Sequence, residues 1–181
     1  TLTTGTWYHL VVVRDGSNNW AQYVNGTRIG TATTATAVPN VTSSVFINYF
    51  TYSPVGTSWA PLNGYLSNLR VVKGSAVYSD ASFTAPTAPL TAISNTSLLC
   101  NFTNAGIYDA TSKNDLETVG NAQISTTQSK FGGSSMSFDG TGDWLKLSNN
   151  AAAQAQGFGT GDFTIECWVY ITSSTVANNG I

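Results

Sequence analysis

The sequence predicts an all-β protein, a sandwich or barrel of short strands, on three observations. Short runs of β-branched and aromatic residues recur along the chain, each closed by a turn rich in Gly, Asn, Asp or Pro. Charged residues make up only 9% of the 181 residues, and Thr, Ser, Asn, Gly and Ala fill the place they leave; an ordinary soluble domain carries about 25%. Glu, Lys, Leu and Arg, the usual helix fillers, are scarce.

The elements follow in order. Trp7-Tyr8-His9-Leu10-Val11-Val12-Val13-Arg14 is a strand, closed by the turn Asp15-Gly16-Ser17-Asn18-Asn19. Trp20-Ala21-Gln22-Tyr23-Val24 and Thr27-Arg28-Ile29-Gly30 form a hairpin around Asn25-Gly26, which accepts the positive φ a tight turn needs. Residues 32–40 read as a loop ended by Pro39, and residues 45–49 and 65–72 as strands. Residues 85–90, with Pro86 and Pro89, are the one linker-like stretch. Beyond it, residues 97–102, 122–124, 135–138, 144–147 and 163–170 read as strands, and residues 151–156 as a short helical turn. Val11, Val13, Phe46, Leu69, Val71, Phe138, Leu145, Ile165 and Trp168 are expected to supply much of the core, with alternation putting Leu69 and Val71 on one face and likewise Val11 and Val13.

Composition excludes several functions. Hydrophobic residues at 41% and aromatics at 12% suffice for a core, so the chain is not disordered. With 7 Lys and Arg against 9 Asp and Glu there is no basic stripe for nucleic acid. No apolar run reaches the roughly 18 residues of a membrane-spanning helix. The start at Thr1 carries no leader, so a secretion signal is expected to have been removed or to lie outside this stretch. Cys100 and Cys167 lack CxxC spacing and sit in apolar strands; buried free thiols are expected, a disulfide being the alternative.

Four stretches, TGTWYHLVVVRDGSNNWAQYVNGTRIG, LNGYLSNLRVVKGSAVYSDASFTAPTAPL, SKFGGSSMSFDGTGDWLKL and GDFTIECWVY, resemble the laminin-G-like branch of the concanavalin A-like lectin/glucanase superfamily. The resemblance implies a two-sheet antiparallel jelly-roll sandwich, often used for glycan binding. The order departs from the family's: residues 1–90 resemble the closing half of a jelly roll and residues 91–181 the opening half of the same or the next one. Two arrangements follow, a circularly permuted domain closed within one chain, or halves completed by strand exchange between copies. The expectation is the second: a chain that is not a self-contained monomer, the segment after Asp162 pairing head-to-tail with Trp7–Arg14 of the next copy to give filaments.

Glucanases of the superfamily carry E-x-D-x-x-E on one strand; here Glu166 stands alone and reads as an outward strand residue, which argues against a hydrolase. His9, the single histidine, has no evident triad partners and reads as satisfied by local hydrogen bonds on a half-buried strand. The turn Asp139-Gly140-Thr141-Gly142-Asp143 and Asp162 supply oxygens of the kind calcium takes, so Asp139, Asp143 and Asp162 are the calcium candidates, against a reading in which the turn aspartates bond their own backbone amides. Tyr49, Phe50, Tyr52 and Trp59 crowd one loop, with Tyr49, Tyr52 and Trp59 as candidates to stack on sugar rings. Asn-x-Ser/Thr sequons begin at Asn25, Asn40, Asn95 and Asn101 and arise easily in so Asn- and Thr-rich a chain. The functional expectation is a non-enzymatic lectin-like module for carbohydrate binding or adhesion at an extracellular, cell or virion surface. A structural fibre subunit without a ligand is the alternative. The expected partners are copies of the chain and surface glycans.

Overall fold

The computed structural model describes residues 2–38, 45–49, 61–148 and 157–173. Eleven strands and no helix are formed there: β1 (Trp7–Arg14), β2 (Asn19–Val24), β3 (Thr27–Thr33), β4 (Phe46–Ile47), β5 (Asn63–Lys73), β6 (Thr96–Cys100), β7 (Leu116–Val119), β8 (Gln123–Ser125), β9 (Ser135–Asp139), β10 (Trp144–Leu147) and β11 (Phe163–Ile171). The fold class is as expected, all-β with two antiparallel sheets, consistent with a jelly-roll sandwich. The large sheet runs β3-β2-β1-β11-β5-β9-β8, with β6 also on β5, and the small sheet runs β4-β10-β7. The proposed helical turn at residues 151–156 lies outside the described residues.

The β2–β3 hairpin turns on Asn25 and Gly26, both at positive φ (49° and 81°), as the sequence requires. Gly26 is further constrained, since a Cβ there would stand 2.0 Å from the Phe83 carbonyl oxygen. β7 was not anticipated: Leu116-Glu117-Thr118-Val119 is short and carries a charge, and its strand state comes from pairing with β10.

The two halves of the chain are interleaved. β11 lies between β1 and β5, and pairs with β1 from Trp7 opposite Tyr170 to Arg14 opposite Phe163. The pairing expected between this segment and Trp7–Arg14 is therefore present, and it is made within one chain. Alternation along β11 then divides the side chains between two environments. Ile165, Cys167, Val169 and Ile171 join Leu66, Leu69, Met136, Phe138, Leu145 and Leu147 in the core between the sheets. The other face holds Val11, Val13 and Tyr23, covered by Ala76, Tyr78 and Phe83 from the segment that follows β5. Because both its faces are covered, β5 is buried almost throughout.

The linker is part of this cover. Asn68 is the extra residue of a bulge opposite β11, at φ 53°, and its side-chain oxygen accepts the Leu90 amide at 2.8 Å. Asn101 Nδ2 donates to the Leu90 carbonyl at 3.0 Å, which fixes the linker's end to the start of the second half.

Of the expected core residues, Val11, Val13, Leu69, Val71, Phe138, Leu145 and Trp168 are buried, and Ile165 packs against the core half-buried. Phe46 is a correction. It is 41% exposed, because β4 is a two-residue edge strand whose Ile47, not Phe46, faces inward. Both cysteines are free. Cys100 on β6 and Cys167 on β11 flank β5 on opposite sides, two strand spacings or about 9.6 Å apart, beyond the roughly 7 Å a disulfide can span.

Candidate functional site

The small sheet presents an aromatic face to solvent. In the β10–β4 register Leu145 lies opposite Ile47 and Lys146 opposite Phe46. Leu145 and Leu147 point into the core, so Trp144, Lys146 and Phe46 point outward. Asn48 then reverses the chain at φ 69°, its Nδ2 donating to the Asp143 carbonyl at 2.9 Å and its Oδ1 accepting the Leu62 amide at 2.7 Å. This turn brings Tyr49 over the sheet. Its ring centroid lies 4.7 Å from that of Phe46 and 4.7 Å from that of Trp144. Tyr49 is 37% exposed and Trp144 half-buried. Lys146 and Glu117 form an open ion pair at 3.2 Å on the same sheet. Aromatic faces beside polar groups of both signs can stack on the apolar face of a sugar ring and bond its hydroxyls.

Tyr49 is thus brought into a surface cluster, with Phe46 and Trp144 as partners the sequence did not single out. For Trp144 the signal was the outward phase of the β10 alternation, opposite Leu145 and Leu147; for Phe46 the two-residue β4 carried none. Tyr52 and Trp59 lie outside the described residues.

Asp139 and Asp143 meet, but as a turn lock. The carboxylate of Asp143, fully buried, accepts the amides of Asn121 and Asp139. Asp139 accepts Asn121 Nδ2 at 3.1 Å and the Thr141 amide at 2.8 Å, and these bonds hold its carboxyl below the ordinary range. Asp162 is elsewhere. Asp139 sits opposite Asn63 and Phe163 opposite Lys73, so Asp162 and Asp139 lie near opposite ends of β5, roughly 30 Å apart at about 3.3 Å per residue. Asp139, Asp143 and Asp162 therefore do not make one calcium site. Among the described residues no group of three or more His, Cys, Asp and Glu is placed to hold a metal ion.

Glu166 is a second correction. It is not an outward residue but fully buried, on the face covered by the segment after β5. Arg70 reaches Oε1 through both Nε, at 2.8 Å, and Nη2, while His9 Nε2 at 3.1 Å and Tyr78 Oη at 2.9 Å reach Oε2. Burial pushes this carboxyl up, but the hydrogen bond to His9 and the charge of Arg70 outweigh it and leave the pKa lowered. His9 is also fully buried, and its bond runs to a residue 157 positions away rather than to local groups. Each oxygen of Glu166 has two donors, and no second carboxylate is among its partners. The arrangement ties β1, β5 and β11 together; it does not present a nucleophile and an acid.

Residues 1–80 match the family model described as the Concanavalin A-like lectin/glucanases superfamily, of laminin G type. The match spans β1 to β5 and the first part of the covering segment, through Tyr78 but not Phe83. No curated protein and no solved structure gives a significant match to the chain.

Proposed function

We propose that this chain, whose first 80 residues match the concanavalin A-like lectin/glucanase superfamily, is a non-enzymatic carbohydrate-binding module. The observation that carries the reading is the exposed cluster of Phe46, Tyr49 and Trp144 with the Lys146–Glu117 pair beside it. Tyr49, packed on both Phe46 and Trp144, holds the rings in place before a ligand arrives, so little side-chain entropy is lost on binding. The non-enzymatic part is supported by Glu166, whose oxygens are committed to Arg70, His9 and Tyr78. Domains of this laminin G type are commonly extracellular, and an extracellular or virion-surface setting suits the low charge and Thr-rich surface.

A glycan array with wild-type chain and Trp144→Ala, each with and without EDTA, tests the proposal. Wild type should bind a restricted set of glycans, Trp144→Ala should weaken that binding by about tenfold or more, and EDTA should change neither. An array with no binding to any glycan refutes the reading, as does binding that Trp144→Ala leaves intact.

A further inference from the structure

β3 carries one residue more than the strand it pairs with. Gln22 lies opposite Gly30 and Tyr23 opposite Arg28, which leaves Ile29 as an unpaired bulge, 64% exposed. In a regular strand Arg28 and Thr31 would point to opposite faces. The bulge puts them on the same one, the face shared with Tyr23 and Ala21.

On that face, beside the covering segment, runs a groove of about 360 Å³. Its volume falls near the lower end of small-ligand sites, about 300–1,000 Å³. Val13, Ala21, Tyr23 and Tyr78 line it together with Thr31, and Asn19 and Thr33, bonded to each other at 2.9 Å, line the end away from Arg28. Arg28 stands at the end nearest Ser79 and makes one long bond, from Nη1 to the Ser79 carbonyl at 3.4 Å. Among the described residues no carboxylate lies within ion-pair distance of it. Asp15, which also lines the groove, is occupied by the amides of Ser17 and Asn19 and by Asn19 Nδ2.

The geometry points to a second ligand site: the groove takes one carboxylate-bearing sugar unit, with its acid group on the Arg28 fork. A guanidinium with unused donors binds a carboxylate through two parallel bonds, which a neutral sugar cannot match. Thr31, next along the same face, suits a hydroxyl of the same sugar, whereas Thr33 Oγ1 donates to Asn19 Oδ1 at 2.9 Å and that pair closes the far end of the groove. This site is distinct from the Phe46, Tyr49 and Trp144 cluster, and the bulge at Ile29 is what assembles it.

Amide chemical-shift titrations of the chain with glucuronate and with glucose test the proposal. Glucuronate should move the signals of Arg28 and Thr31, with glucose binding about tenfold weaker or worse. Arg28→Ala should bring glucuronate down to the level of glucose, and Arg28→Lys, which keeps the charge without the fork, should fall between. Trp144→Ala should leave the titration unchanged, so this site and the aromatic cluster succeed or fail separately. Equal binding of the two sugars, shifts centred on Tyr49 and Trp144, no shifts at millimolar glucuronate, or an Arg28→Lys protein that binds like wild type would each overturn the assignment.

Discussion

Replacing Glu166 by Ala tests how the covered face of the large sheet is held. The substitution removes the counterion of Arg70, whose side chain is 7% exposed, and leaves His9 Nε2 and Tyr78 Oη without their acceptor. Breaking a buried pair by deleting one partner costs about 3–5 kcal/mol, because the remaining charge stays buried and uncompensated. For a chain of this size each kcal/mol shifts the melting temperature by about 2–4 °C, so a fall of roughly 6–20 °C is expected. Circular dichroism melts of wild type, Glu166→Ala, Glu166→Met, Arg70→Met and the double variant Glu166→Met with Arg70→Met give the assay. The double variant should be more stable than Glu166→Ala, since an apolar pair replaces the ionic one without stranding a charge. The sign with pH follows from the lowered carboxyl: its stabilisation is complete above the ordinary carboxylate pKa and disappears as pH falls through the lower folded value. Wild type should therefore lose stability below about pH 4, and Glu166→Ala should show a shallower acid limb. A melting shift under about 2 °C for Glu166→Ala, or single-variant costs that simply add in the double variant, would refute the reasoning.

Two further predictions rest on other buried groups. Asp109 accepts the amides of Leu99, Thr111, Lys113 and Asn114 together with the side chains of Thr111 and Asn114, so Asp109→Ala should cost about 2–4 kcal/mol in urea unfolding, and Asp109→Asn less. Cys100, fully buried, should be silent to thiol reagents in the folded chain, and Cys167, partly exposed but with its thiol raised to about 12 by its surroundings, should label slowly, both reacting fully in denaturant; fast labelling of Cys100 in native protein would contradict its placement.

Strand order along the chain was legible because alternation and turn chemistry are local. Trp7–Arg14, the Asn25-Gly26 hairpin and the last strand are all set by residues within reach of one another. The role of Glu166 was not, because it alternates with Thr164 and Trp168 on what reads as the polar side of its strand. That side is buried only because residues after β5 fold across it and Arg70, 96 positions away, neutralises the charge. Phe46 was misplaced for a similar reason: a two-residue edge strand offers too little alternation to fix its phase. The aspartates of residues 139–143 were readable as a turn, whereas their distance from Asp162 is a property of the sheet's length and no local pattern carries it.

Phe163–Ile171 pairs with Trp7–Arg14 of the same molecule, and this closure within one chain positions both candidate sites. Multi-angle light scattering across a wide range of micromolar concentrations tests it most directly. A single species of 19.1 kDa, unchanged on dilution, is expected. A mass that climbs with concentration toward open-ended multiples would contradict it, and would mean that β11 completes the sandwich of a neighbouring copy.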